Sequence, residues 1–170
     1  MRARGLGLVG LVLVLGGALA SCLGDANAPR DAEPLDEAFF RCQVQPVLTR
    51  NCSMFACHGN ARRFFVLFGR NRLRLGGTEA MRGSFLTDAE RERNFAAASA
   101  MVVPGHPELS PLVMKPLDPS AGGWYHVGGD TPFHGGDPFT SVDDARYQTL
   151  VDWVNGATDD PSCVEPGSTM

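Results

Sequence analysis

The sequence predicts a mostly α-helical fold, with one helical domain whose helices are joined by long ordered loops. Two patterns support this prediction. Thr87-Asp88-Ala89-Glu90 forms a capping box, in which the side chain at each end accepts from the backbone amide at the other. Near the end of the chain, apolar residues recur at helical spacing, and the long glycine-rich segment 120–138 holds few strand-like runs.

The first helix is expected over Leu35–Cys42, with Pro34 close to its first turn. Pro46 follows, and we expect it to interrupt or kink the helix because proline lacks a backbone N–H. The second helix is expected to begin after Thr87 and to run through Phe95 to about Met101, before Pro104-Gly105. Ser110-Pro111 can begin a short helical turn that ends near Met114.

The last helix has the clearest pattern. Ser141 is expected to cap it, Tyr147, Leu150, Val151 and Val154 lie on one face, and Gly156 ends it. Residues 120–138 are expected to form a long loop of the kind that is usually tied to function. Residues 64–75 are ambiguous, because Phe64–Phe68 and the alternation Arg72-Leu73-Arg74-Leu75 could form a short strand or hairpin.

The amino terminus has the pattern of an export signal. Arg2 and Arg4 precede the short apolar run Leu6–Leu15, and Leu19-Ala20-Ser21-Cys22 resembles the lipobox of bacterial lipoproteins. That resemblance implies a signal peptide over 1–21, lipidation of Cys22, a flexible tether through residue 34, a domain over 35–165 and a disordered tail over 166–170. The protein would then be anchored by lipid to a membrane of the bacterial cell envelope, facing the periplasm or the exterior. An ordinary secretory signal or a transmembrane anchor is the alternative.

The composition limits the possible functions. After removal of residues 1–21, the remaining 149 residues carry 13 basic and 19 acidic side chains, a net charge of −6. This charge argues against a general nucleic-acid binder or a binder of anionic membranes. Because Ser, His and Asp are scattered and no phosphate-binding glycine loop precedes a helix, the sequence does not predict an enzyme.

The strongest chemical motif is Cys52-Ser53-Met54-Phe55-Ala56-Cys57-His58. Cys-x-x-Cys-His is the pattern of covalent haem attachment, in which each sulfur binds one vinyl group and the imidazole ligates the iron. Here four residues separate the cysteines instead of two, so we expect Ser53–Ala56 to bulge outward. Two other interpretations stay open. The cysteines could form a local disulfide, or they could hold zinc or copper with His58 and a second histidine.

Several stretches, taken in order, resemble the c-type cytochrome superfamily, and in particular a divergent branch of secreted and lipid-anchored bacterial proteins. They are Val44–Leu48, Cys57-His58-Gly59, Val103–Leu112, His134-Gly135-Gly136 and Tyr147–Ala157. The resemblance implies a cytochrome-c-like helical domain whose first and last helices pack together. It also implies one covalent haem c and electron transfer with redox partner proteins. The alternative function is a disulfide-stabilised envelope lipoprotein that binds no haem and acts as an interaction module.

His58 would be the proximal iron ligand. For the opposite face the resemblance favours His134, which lies in the His-Gly-Gly motif, with Met114 as the second choice. Met114 could equally be a core residue. His126 could be a ligand or a surface-loop residue, and His106 is expected to be exposed.

If haem uses Cys52 and Cys57, and lipid uses Cys22, then Cys42 and Cys163 remain as a predicted disulfide, the alternative being two unrelated thiols. An arginine cluster, Arg62, Arg63, Arg70, Arg72 and Arg74, could bind haem propionates or form a solvated edge. Trp124, Tyr125 and Phe133 could cover a haem edge or anchor loops.

Overall fold

Helices and irregular segments make up the fold. The computed structural model describes residues 34–76, 82–126 and 137–166. The predicted signal peptide, Cys22, most of the tether, Phe133, His134 and the last four residues lie outside these ranges. Within them, the regular elements are helical and the only β-type pairing is an isolated bridge between Leu117 and Phe139. The expected mostly α-helical class is therefore confirmed.

The first helix, α1, consists of three consecutive stretches: α-helical Glu37–Phe39, π-helical Phe40–Val44 and α-helical Gln45–Asn51. Asp36 caps its start by accepting a hydrogen bond from the backbone N–H of Phe39. Pro46 does not end the segment, because the helix continues to Asn51, but the α-helical pattern is interrupted just before it, as expected, by the π-helical stretch. A wider π turn lies just before the proline, where an ordinary helical turn would bring the proline ring against a carbonyl oxygen.

The second helix, α2, spans Asp88–Ser99 and has both hydrogen bonds of the predicted capping box. It ends two residues before the expected Met101. The short α3 spans Pro111–Met114, as expected, between the 3-10 turns Pro107–Leu109 and Pro119–Ala121.

The last helix, α4, spans Ala145–Val154 and begins later than expected. Its N-cap is Asp144, which accepts from the N–H of Arg146, whereas Ser141 accepts from Asp143 in a preceding turn. The predicted cap at Ser141 is therefore wrong. Gly156, with φ of +89°, follows the helix in a left-handed conformation that suits glycine.

Three aromatic rings join α1, α2 and α4. The ring of Phe40 lies 5.3 Å from Phe95 and 5.1 Å from Trp153, measured between ring centres. All three belong to or pack against the buried core, and Trp153 has no exposed surface. The first and last helices therefore pack together, as the resemblance implied.

The segment between α1 and α2 is irregular in its described part, so the alternative of a strand or hairpin over 64–75 is wrong. Buried side chains of α2 supply the backbone hydrogen bonds that a neighbouring strand would otherwise provide. Asn94 accepts from the N–H of Phe68 at 2.8 Å and donates to the Phe68 carbonyl at 2.9 Å. Hydrogen bonds of this kind satisfy backbone groups that would otherwise be buried without partners.

Arg74 and Glu90 form a buried ion pair that fixes the same segment. The guanidinium donates to both carboxylate oxygens, at 2.9 and 2.8 Å, and its side chain is 2% exposed. Both interpretations of the arginine cluster are therefore wrong for Arg74, which is neither a solvated residue nor available to a cofactor. The other four arginines of the cluster are exposed.

Cys42 and Cys163 form the expected disulfide. Arg41 supports it by donating to the carbonyl oxygens of Cys163 at 3.0 Å and Pro161 at 2.8 Å. The carboxy-terminal segment is thus held against α1 by a covalent bond and by hydrogen bonds. Among the residues that the structure describes, no helix has the length and apolar character needed to cross a membrane.

Candidate functional site

The cysteine motif begins where α1 ends. Cys52 is the C-cap of the helix, and its N–H donates to the carbonyl of Leu48 at 2.9 Å. Ser53 follows and is fully buried, with its hydroxyl donating to the carbonyl of Thr49 at 2.6 Å. The side chains of the motif therefore start from a rigid helical end.

The residues between the two cysteines form a closed turn. The N–H groups of Cys57 and Gly59 both donate to the carbonyl of Met54, at 2.8 and 2.9 Å, and that of His58 donates to the carbonyl of Cys52 at 2.9 Å. Phe55 is 76% exposed, so the outward bulge is confirmed there. The expectation is wrong for Ser53, because its hydroxyl bonds inward to the helix.

Gly59 is required by the close packing of this turn. A Cβ atom at position 59 would lie 2.0 Å from the carbonyl oxygen of Ser53. Contacts under 3.0 Å essentially never occur for real Cβ atoms, and here the opposing atom is backbone. The glycine thus allows His58 to lie directly against the end of α1.

Cys52 and Cys57 are free thiols in the structure. Burial, together with the neighbouring Cys57, raises the pKa of Cys52 to about 12. Burial also raises the pKa of Cys57, although the positive charge of Arg63 opposes the increase. Both sulfurs are therefore protonated near neutral pH, which makes them poor nucleophiles in this conformation.

The ring of His58 is held on one side by Phe65. Its Nδ1 lies 3.0 Å from the Phe65 carbonyl oxygen, and the two ring centres are 4.7 Å apart. Because a carbonyl can only accept, Nδ1 carries the hydrogen, and the Nε2 lone pair of the neutral ring is available to a metal. Burial lowers the pKa of His58, which favours the neutral ring.

His126 lies beside His58, although the two are far apart in the chain. The rings are parallel to within 5°, and their centres are 6.1 Å apart. His126 Nδ1 lies 3.8 Å from Oδ1 of the buried Asp137. Sequence patterns alone indicated a surface-loop residue or a ligand for His126 without deciding between them, and gave no signal for Phe65 or Asp137.

The other predicted ligands lie elsewhere or outside the described residues. His134, the first choice, falls in the range 127–136, which the structure does not describe. Met114, the second choice, is half-buried and packs against the core. The side chain of His106 is 41% exposed and pairs with Glu108, as expected for a solvent-facing residue.

The surroundings of the motif are partly apolar and partly positive. Phe55 and Phe64 lie near the motif in sequence, and their side chains are 76 and 89% exposed. Tyr125, which precedes His126, is 70% exposed. Arg63 donates to the carbonyl of Ala56 at 3.1 Å, on the turn between the cysteines. Exposed rings and a cation beside two thiols can contact a flat apolar group that carries carboxylates.

The residues present fit a covalently held haem. Two free thiols flank a turn, and the histidine after the second thiol has its Nδ1 engaged. A second imidazole, that of His126, stacks beside the first.

The chain was compared with protein-family models, with curated proteins and with solved structures. None of them matches it.

Proposed function

We propose that this chain is a lipid-anchored electron-transfer protein of the bacterial cell envelope that carries one covalent haem. The observation that carries the proposal is the arrangement at the end of α1. Cys52 and Cys57 are free, and His58 is oriented by the Phe65 carbonyl with its Nε2 available. A haem at this position would supply a reversible one-electron change at its iron.

Each side chain of the motif has a distinct role in this proposal. Cys52 and Cys57 would hold the porphyrin edge through thioether bonds, so that the group cannot dissociate. His58 would ligate the iron, and the hydrogen bond from its Nδ1 would fix the ring orientation and increase the basicity of Nε2. The exposed Arg63 would offer a guanidinium to a propionate carboxylate.

The anchoring part of the proposal rests on the sequence around Cys22. Lipidation there would tether the domain by a polar, proline-marked segment that ends at Pro34. The tether would keep the domain near the membrane surface, where redox partner proteins could reach it.

The second candidate is an envelope lipoprotein that binds no haem and acts as an interaction module. The exposed Phe55 and Phe64 favour it, because large apolar side chains at a surface often mark a contact with another protein. In that case Cys52 and Cys57 would bond to each other in the oxidising envelope.

One experiment separates the two candidates. The chain is expressed with its own leader in a bacterial host that has haem-attachment machinery, and its mass and reduced pyridine haem spectrum are recorded after denaturation. Covalent haem that is lost in Cys57→Ala supports the proposal. A colourless protein with a Cys52–Cys57 disulfide replaces it with the second candidate.

A further inference from the structure

The disulfide between Cys42 and Cys163 lies beside the carboxylate of Asp159. The two Sγ atoms and one carboxylate oxygen of Asp159 all lie within 4.8 Å of one another. Sulfur and oxygen atoms that bind one zinc ion tetrahedrally are roughly 3.5–4 Å apart. Among the residues that the structure describes, this is the one group of three thiol, imidazole or carboxylate side chains that is close enough to share a metal ion.

Two separate segments of the backbone bring these three side chains together. Cys42 lies in the π-helical stretch of α1 and is 4% exposed. Asp159 and Cys163 flank a turn in the carboxy-terminal segment, in which the N–H of Cys163 donates to the carbonyl of Asp160 at 2.8 Å. The Cα atoms of the two cysteines are 6.4 Å apart. From this separation the sulfurs can either bond to each other or, after side-chain rotation, bind one metal ion.

Contacts other than the disulfide hold the carboxy-terminal segment against α1 and α2. Arg41 donates to the carbonyl oxygens of Cys163 and Pro161, at 3.0 and 2.8 Å. Arg91 of α2 pairs with Glu165 at 3.2 Å. None of these contacts uses a sulfur atom, so breaking the S–S bond leaves the two thiols close to each other and to the carboxylate.

The carboxylate of Asp159 is oriented by its neighbours. Its Oδ2 accepts from the side-chain amide of Gln43 at 2.8 Å, and its Oδ1 accepts from the N–H of Asp160 at 2.8 Å. The backbone N–H of Asp159 donates to Oδ1 of Asp36 at 3.4 Å. Each oxygen of the carboxylate keeps a lone pair, because it can accept two hydrogen bonds. Contacts of this kind fix the orientation of a carboxylate that binds a metal ion.

We propose that in the reduced protein Cys42, Asp159 and Cys163 bind one zinc ion in place of the disulfide. Thiolate sulfur favours zinc over magnesium or calcium, and three protein ligands leave a fourth position for water. Because thiols are kept reduced in the cytosol, an exported chain reaches the envelope in this form. A zinc ion here would hold the carboxy-terminal segment on α1 and keep its two ligand thiols from pairing with Cys52 or Cys57. The inference uses none of the residues of the haem proposal.

The test uses the full chain, purified in detergent, with Cys52→Ser and Cys57→Ser so that the haem-attachment thiols cannot bind metal. A phosphine reductant breaks the S–S bond: it is oxidised to the phosphine oxide with an oxygen atom from water, and each sulfur gains a hydrogen. Zinc then displaces both hydrogens as protons when the two Zn–S bonds form. We expect the reduced chain to take one zinc ion from a chromophoric chelator. The oxidised chain, which keeps every histidine and carboxylate, should take none.

Two further measurements identify the ligands. Cadmium in place of zinc should give the ultraviolet charge-transfer band of thiolate ligation, in the reduced chain only. Asp159→Asn should lower the zinc affinity of the reduced chain at least about tenfold, since the loss of outer contacts alone typically costs that much. Asp152→Asn is the matched control, because Asp152 is exposed on α4, and its zinc affinity should match that of the chain without this substitution.

The outcomes decide the inference without reference to haem. A reduced chain that binds no zinc, or binds it only in large excess, overturns the inference. Equal zinc affinity in Asp159→Asn and Asp152→Asn also overturns it, since the carboxylate would then not be a ligand. If reduction unfolds the chain, recovery of the helical circular dichroism on addition of zinc supports the site, and no recovery overturns it. Covalent haem is measured separately in the unaltered chain, so the proposed function stands or fails independently.

Discussion

The indole Nε1 of Trp153 donates a hydrogen bond to the backbone carbonyl of Asp36 at 2.9 Å. This bond joins the last helix to the residue that caps the first, because Asp36 also accepts from the N–H of Phe39. The same indole ring packs on Phe40 and Phe95. One side chain thus connects three helices through both packing and a hydrogen bond.

Trp153→Phe should lower the free energy of unfolding by about 2 kcal/mol, because it removes this hydrogen bond and leaves a small cavity in the core. Urea denaturation followed by circular dichroism measures the change. Trp124→Phe is the matched control, since Trp124 is 37% exposed and its replacement should change stability by less than about 0.5 kcal/mol. Equal effects of the two substitutions would contradict the assigned role of Trp153.

Glu90 should make the stability of the domain depend on pH in the acid range. Burial alone would raise the pKa of Glu90, but hydrogen bonds from Arg74 and from the backbone N–H groups of Thr87 and Leu75 lower it to about 2. A carboxylate with a pKa below its unfolded value stabilises the fold above that unfolded value. The stabilisation, roughly 3 kcal/mol, is lost as the pH falls from about 4.5 toward 2.

Urea denaturation at a series of pH values tests this dependence. In Glu90→Gln, stability should be lower at neutral pH and should change less between pH 5 and 2. Glu92→Gln is the control, because Glu92 is exposed on the same helix. A Glu90→Gln profile parallel to that of the unaltered protein would show that Glu90 does not carry the effect.

Gly59→Ala should destabilise the turn between the cysteines by about 1–3 kcal/mol, since the added Cβ would collide with the carbonyl of Ser53. Gly83→Ala is the control, because the nearest atom to an added Cβ there is 3.8 Å away. Thermal unfolding with the disulfide intact compares the two variants. A Gly59→Ala protein as stable as Gly83→Ala would mean that the turn can open without loss.

The two motif thiols should differ in reactivity in the haem-free, folded protein. We expect iodoacetamide at pH 8 to modify Cys57 severalfold faster than Cys52, because burial and the nearby Cys57 raise the pKa of Cys52 to about 12. Peptide mass spectrometry after timed quenching gives both rates. In guanidinium chloride the two rates should become similar, and equal rates in the folded protein would contradict the prediction.

Local signals in the sequence predicted some parts of the molecule well. The Thr87–Glu90 capping box, the short helix after Ser110 and the Cys42–Cys163 pair depend on nearby residue types or on cysteine number, and each is confirmed. The predicted start of α4 was too early, because Ser141 and Asp144 are both residue types that favour N-caps. The sequence alone does not decide which of the two caps the helix.

The remaining features depend on contacts between distant segments. Arg74 resembles its exposed neighbours in sequence, and only the position of Glu90 on α2 explains its burial. The position of His126 beside His58 likewise depends on contacts between distant segments, such as the bridge between Leu117 and Phe139, which no sequence periodicity indicates. Pattern analysis could nominate His126, but it could not distinguish that residue from other loop histidines.

The bond between Cys42 and Cys163 encloses most of the described domain, since its ends are separated by 121 positions in sequence. A protease cut anywhere inside that interval would therefore leave two fragments that still migrate as one species on a denaturing gel until a reductant is added. Because Arg41 also donates hydrogen bonds to the segment around Cys163, we expect that segment to stay bound to α1 after such a cut. The disulfide thus gives the domain tolerance to cleavage of its own loops.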